Sequence, residues 1–227
     1  MAARIVWLFD IDGTLLTTDG AARESIAAAA FGCLGVADDL QGIAFAGRTD
    51  PLILADILAR HGRDFDAASR ERFWSVAYAE MAARLTPGRG RVLPGVTELL
   101  DDIAREPDWG CAVLTGNQRA MAAIKLRHYG LEDRFSYGAF GDEASDRNAL
   151  ARRAVAHAQD RFGVRAEQCI VVGDTEHDIA CARAAQARAV AVATGIRSLS
   201  ELAAHRPDLL LESLEERQRL LAWARSL

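Results

Sequence analysis

Five apolar residues in succession, Ile5-Val6-Trp7-Leu8-Phe9, stop abruptly on Asp10-Ile11-Asp12-Gly13-Thr14. A short, uniformly apolar run is the pattern of a strand buried on both faces of a parallel sheet. From Asp19 to about Arg89 the pattern becomes helical. Asp19 is the expected N-cap of an Ala-rich helix over Gly20 to Leu34, closed by Gly35. Asp38-Asp39 is expected to start another short helical piece, and Gly42 to Asp50 reads as a loop. Asp50-Pro51 opens a helix to Arg60, and a further one, from about Asp66 to Leu85, carries Phe73, Val76, Ala77 and Met81 on one side. Four helical pieces with no strand between them predict a separate bundle rather than a crossover helix.

Beyond Val92 short apolar runs alternate with helical stretches. Strands are expected over 110–114, 137–140, 169–172, 189–193 and 209–211, with helices between them and a closing amphipathic helix over 214–227. This alternation predicts βαβ units. The expected fold is α/β: a three-layer α/β/α, Rossmann-like parallel sheet formed by 1–16 and 91–227, with an α-helical domain inserted over 17–90. The two hinges are expected at Leu15 to Asp19 and Gly88 to Pro94.

Composition narrows the function. A formal net charge of −5 argues against a nucleic-acid backbone binder. No stretch approaches the roughly 20 apolar residues of a membrane span. Arg4 and the few apolar residues before Asp10 do not make a signal peptide. Cys33, Cys111, Cys169 and Cys181 show neither CxxC spacing nor a disulfide framework, so reduced thiols in a cytoplasmic protein are expected. Lys125 is the only lysine.

Three strand ends carry polar residues in the same relative position: Asp10/Asp12, Thr115/Asn117 and Asp174/Asp178. In a parallel sheet all three face one edge and can converge. Two carboxylates as close as Asp10 and Asp12 repel each other unless a cation sits between them. Asp10 and Asp174, a backbone carbonyl near Asp12 and waters form an oxygen-only set that suits Mg²⁺. Asp178 is expected near that metal, although a carboxylate one turn into a helix also serves the helix dipole. His177 is expected to face solvent or stand behind the site.

Asp10-Ile-Asp12-Gly-Thr14, Leu114-Thr115-Gly116-Asn117 and Gly173-Asp174-Thr175-x-x-Asp178 resemble motifs I, II and IV of the haloacid dehalogenase superfamily, in the right order. The helical insert resembles that superfamily's small α-helical cap, and within the superfamily the chain is most similar to phosphoglycolate-phosphatase-like members. The resemblance implies a Mg²⁺-dependent phosphomonoester hydrolase acting on a small phosphorylated metabolite. Asp10 would be the nucleophile that becomes an aspartyl-phosphate, and Asp12 the acid that later turns base. Thr115 and free N–H groups at the start of its helix would hold phosphoryl oxygens, with Thr14, Gly116 and Asn117 as further substrate contacts. Relatives usually place a lysine in motif III. Here Arg147 holds that place, with Lys125 the alternative. Arg48-Thr49-Asp50 resembles the Gly-Arg-Thr-Asp stretch of cap-bearing relatives, which would make Arg48 and Thr49 substrate contacts; the plainer reading is a helix start.

A dehalogenase would not need Asp12, because halide leaves unprotonated. A phosphonoacetaldehyde hydrolase would need a cap lysine, and the insert has none. A sugar phosphomutase, or a binding protein that kept the fold, stays open.

Overall fold

The computed structural model describes residues 5–227. Met1–Arg4, on which the signal-peptide expectation partly rests, lie outside the described residues. Six parallel strands form one sheet: β1 (Ile5–Phe9), β4 (Trp109–Leu114), β5 (Gly138–Ala139), β6 (Cys169–Gly173), β7 (Arg188–Val192) and β8 (Leu209–Leu211), in the order β5-β4-β1-β6-β7-β8. The first strand is therefore central, with β4 on one side and β6 on the other.

Strict alternation along β1 divides the core. Ile5, Trp7 and Phe9 face a cluster completed by α4 (Val96–Ala104), α5 (Arg119–His128) and α9 (Arg217–Arg225). Val6 and Leu8 face another cluster, completed by α6 (Arg147–Phe162), α7 (Glu176–Ala184) and α8 (Leu199–Ala204). Every residue of β1 is buried, because the strand has helices over both faces. Trp7 and Trp109 pack with ring centroids 5.5 Å apart. The expected α/β sheet flanked by helices is thus the observed one.

Between β1 and β4 the chain forms α1 (Ala21–Leu34), α2 (Asp50–Arg60) and α3 (Ala67–Arg84), which bury Ile26, Ile53, Leu54, Ile57, Phe73 and Met81 in a third cluster that Met121 of α5 also joins. The chain leaves and re-enters the sheet portion through β2 (Leu16–Thr17) and β3 (Arg91–Val92), paired antiparallel with Leu16 opposite Val92.

Two local expectations fail. The Asp38-Asp39 helix does not form. Asp38 and Asp39 instead accept from the N–H groups of Leu40 and Gln41, two residues on, and Leu40 takes a left-handed φ of 59°. Such local side-chain bonds compete with helix formation. Nor does Asp19 cap α1. Gly20 stands at the cap without a side-chain bond, while the Asp19 carboxylate accepts from Gly90 N–H at 3.2 Å, tying together the two segments that join insert and sheet.

The register aligns the chemistry. Phe9 pairs with Val113 and with Val172, so Asp10, Thr115 and Asp174 emerge at the same carboxyl edge within one or two residues of those pairs. This is where open α/β sheets bind ligands.

Candidate active site

Asp10 extends the ladder one residue past β1, its N–H donating to Val172 O at 3.0 Å, and this fixes the direction of its carboxylate. Carboxylate oxygens of Asp10, Asp174 and Asp178 lie within 4.8 Å of one another, and all three residues are buried. The compensating cation is Arg147, the first residue of α6, whose helix is started by Asp146 accepting from Ala149 N–H. Arg147 Nη2 stands 3.2 Å from Asp10 Oδ1 and also bonds Asp178 Oδ1. Asp178 has further partners: its Oδ2 accepts from Thr175 N–H at 3.0 Å and Thr175 Oγ1 at 2.7 Å, closing the start of α7. It is thus both helix cap and cluster member.

Two of the buried carboxylates facing this guanidinium, Asp10 and Asp174, titrate abnormally. Burial pushes Asp174 up to about 8, reinforced by Asp178 and Asp10. Burial likewise lifts Asp10 to about 6, against the pull of Arg147. The backbone walls Asp174 in closely: a Cβ on Gly13, whose φ is +82°, would lie 2.5 Å from Asp174 Oδ2, and one on Gly195 only 1.7 Å away. Thr14 Oγ1 donates to Asp174 Oδ1 at 3.2 Å. Its hydroxyl orients that carboxylate.

Asp12 lies outside this cluster. Its two carboxylate oxygens accept from Lys125 Nζ at 2.7 and 2.6 Å, and Asn117 Nδ2 donates to it at 2.7 Å. Lys125 also donates to Asn117 Oδ1 at 2.6 Å, which engages the buried ammonium without a charged partner to spare. Asn117 Nδ2 further donates to Thr115 Oγ1 at 2.8 Å. Arg147 and Lys125, alternatives for one role in the sequence, therefore hold different carboxylates. Each Asp of the first motif has its own cation.

The start of α5 is more occupied than its sequence suggests. Asn117 N–H bonds Thr115 Oγ1, Gln118 N–H bonds Asp50 Oδ2 at 2.7 Å, and Arg119 N–H bonds Asp142 Oδ1 at 3.0 Å. The expectation of free N–H groups at this helix start is narrowed rather than lost: Asn117, Gln118 and Arg119 have acceptors, while Gly116, Ala120 and Met121 N–H have none among the described residues.

The insert reaches the same edge. Asp50 N–H donates to Gly116 O at 2.8 Å, and a Cβ on Gly116 would lie 2.0 Å from Arg48 O. Arg48 Nη2 pairs with Asp56 Oδ2 at 2.5 Å, eight residues further along the insert, in a partly exposed ion pair rather than against the acidic cluster. Thr49 is buried at the N-cap of α2 with its hydroxyl unbonded. Gly47 packs against the half-exposed ring of His177. Asp50 escaped the sequence reading as a site residue because Asp-Pro at a helix start explains itself. Its burial was the missing signal.

An open parallel sheet whose central strand ends on a buried acidic cluster, with a guanidinium in reach, defines a cation-binding type of centre at the sheet's carboxyl edge. The chain belongs to the haloacid dehalogenase-like hydrolases, whose family model matches residues 6–186. It is 30% identical over 207 residues to a 5'-nucleotidase of Pseudomonas aeruginosa, covering 88% of this chain and 87% of that one. It is 30% identical over 220 residues to a phosphoglycolate phosphatase of Agrobacterium fabrum, covering 90% and 87%. Among solved structures it resembles a predicted phosphoglycolate phosphatase from Haemophilus somnus, with a TM-score of 0.77 at 18% identity over 97% of this chain and 99% of that one. That likeness concerns the fold.

Proposed function

We propose that the protein is a Mg²⁺-dependent phosphomonoester phosphatase acting on a small phosphorylated metabolite through an aspartyl-phosphate on Asp10. Its phosphatase relatives support the reaction class, and one observation carries the detail: Asp10 and Asp12 are separately compensated, by Arg147 and Lys125. Two adjacent carboxylates can then perform different tasks.

The residues present fit a hard divalent cation. The donors are all oxygen, and Asp10, Asp174 and Asp178 outnumber their guanidinium three to one. Burial and mutual repulsion drive Asp174 to about 8, the state of a carboxylate short of positive charge. Asp10 and Asp174 would hold the ion, with Asp178 behind them through its bonds to Thr175 and Arg147, and the Asp12 backbone carbonyl as a further donor. Bound there, Mg²⁺ would neutralise phosphate charge and align the group.

Asp10 Oδ attacks phosphorus, forming the acyl-phosphate bond as the bond to the leaving alkoxide breaks. Asp12, aimed by Lys125 and Asn117, gives its proton to that alkoxide. In the second step Asp12 takes a proton from water, whose oxygen attacks phosphorus and frees Asp10 and inorganic phosphate. Arg147 beside Asp10 offers a phosphoryl oxygen a charged donor. Thr115 Oγ1 and the unpartnered Gly116 N–H offer others. Residues 17–90 act in this reading as a cap over the site, joined to the core through the β2–β3 ribbon. A cytoplasmic location is supported by all four cysteines being free thiols, and among the described residues no helix is long and apolar enough to cross a membrane. Phosphoglycolate is the first substrate to try.

The purified protein with Mg²⁺ should hydrolyse a generic aryl phosphate, lose the activity in EDTA and regain it with added Mg²⁺. Asp10→Asn should be folded and inactive. Hydrolysis persisting in Asp10→Asn would remove Asp10 as nucleophile.

A further inference from the structure

We propose that Asp50 is a positioning residue: together with Tyr78 it clasps Gln118 from the helical insert and so sets the Thr115–Gln118 turn, making phosphate affinity depend on docking of the insert. This rests on the reading that the turn receives the phosphoryl group. Four contacts support it. Asp50 Oδ2 accepts from Gln118 N–H at 2.7 Å, and Asp50 N–H donates to Gly116 O at 2.8 Å, so one residue grips the turn by both a donor and an acceptor. Tyr78, on α3, gives its hydroxyl to Gln118 Oε1. The Arg48 carbonyl lies so close over Gly116 that no Cβ fits there. Two different helices of the insert therefore hold one residue of the sheet portion, and that residue immediately precedes α5.

A carboxylate in the first turn of α2 could instead serve only its own helix dipole. Asp50 does not fit that description. It is buried, and its carboxylate bonds the start of a different helix. From the other side the same turn is held by Gly141 N–H on Asn117 O at 2.7 Å. The turn is thus pinned between two segments distant in sequence, one of which belongs to the insert. If the insert moves away, the Gln118 N–H and the Gly116 carbonyl lose their partners and the turn is free to relax. A misplacement of that kind is enough to weaken oriented binding severely.

The test compares Asp50→Ala, Asp50→Asn and Tyr78→Phe in the full chain with Mg²⁺. Two readouts are used: competitive inhibition of aryl phosphate hydrolysis by inorganic phosphate, and hydrogen exchange at the Gln118 amide. Asp50→Ala should weaken phosphate inhibition about tenfold, the equivalent of one lost hydrogen bond to a charged acceptor, and should release Gln118 N–H to exchange. Asp50→Asn keeps an acceptor oxygen and should stay within about twofold of wild type in both. Tyr78→Phe should weaken inhibition about threefold. A folded Asp50→Ala with unchanged phosphate inhibition overturns the proposal, even if Gln118 exchanges faster, because the clasp would then position nothing that matters. Should Asp50→Ala fail to fold, Tyr78→Phe decides on the same criterion. Wild-type protein that neither hydrolyses aryl phosphate nor responds to inorganic phosphate would instead overturn the phosphatase reading, and this inference with it.

Discussion

Replacing Arg147 by Met keeps most of the side chain's length and removes the acidic cluster's cation. At the 3.2 Å that separates Arg147 from Asp10, a pair of unit charges in an effective dielectric of about 20 is worth roughly 5 kcal/mol. Desolvation of the guanidinium offsets part of that, and removing one partner of a buried pair typically leaves a net loss of about 3–5 kcal/mol. The loss must depend on pH. Burial already lifts Asp10 to about 6 against an ordinary value of 3.8, and Arg147 is the largest force opposing the lift. Without Arg147 the native value rises further. A carboxyl with a raised native pKa keeps a proton that the unfolded chain has released, so stability falls as pH climbs from the unfolded value through the native one. Urea unfolding in EDTA should show Arg147→Met close to wild type near pH 4 and about 3–5 kcal/mol less stable near pH 8. A loss that is the same at both pH values, or below about 1 kcal/mol at pH 8, would refute the assignment of Arg147 as the cation of this cluster.

Lys125→Met leaves Asp12 without its ammonium and Asn117 with one bond fewer; kcat for an aryl phosphate should fall at least about tenfold with KM changing less, and an unchanged kcat would show that Asp12 needs no such support. Gly116→Ala drives a methyl group against the Arg48 carbonyl, which a Cβ would meet at 2.0 Å; differential scanning calorimetry should find the variant destabilised by about 1–3 kcal/mol, the usual cost of overpacking. Burial raises Asp50 from 3.8 to about 6, with Lys125 and the Gln118 N–H pulling down and Asp12 and Asp142 pushing up. Ionising it between those values costs the fold about 3 kcal/mol. Asp50→Asn should therefore be more stable than wild type near pH 7, with the advantage disappearing below about pH 4; an advantage independent of pH would mean that burial of the charge is not its source.

Much of the fold was legible in the chain. Ile5–Phe9 could only be a strand covered on both faces, since five apolar residues in succession leave no polar side for water. The later strands, and the helices capped by Asp66 and Asp146, follow from equally local rules. So does the direction of Asp10, Thr115 and Asp174: parallel strands all end at one edge, and residues far apart in sequence must meet there. Asp38-Asp39 was misread because a helix start and a local turn use the same residue types, and only the surrounding backbone selects between them.

Partnership was what the tertiary structure decided. Charge and spacing identified two cations near the site but could not allot them. Whether Arg147 or Lys125 meets Asp10 depends on angular position around α5 and α6, and on how those helices lie over the sheet. The fold sends Arg147 to Asp10 and Lys125 to Asp12. It also turns Arg48 back onto Asp56, gives the Gln118 and Arg119 N–H groups at the start of α5 carboxylate partners, and brings Asp50 into the seam between insert and sheet. The sequence determines which groups can carry charge and at which edge they gather. Burial and the docking of separate elements determine which of them touch, because electrostatic partnership falls off over a few ångströms and one helical position displaces a side chain by more than that.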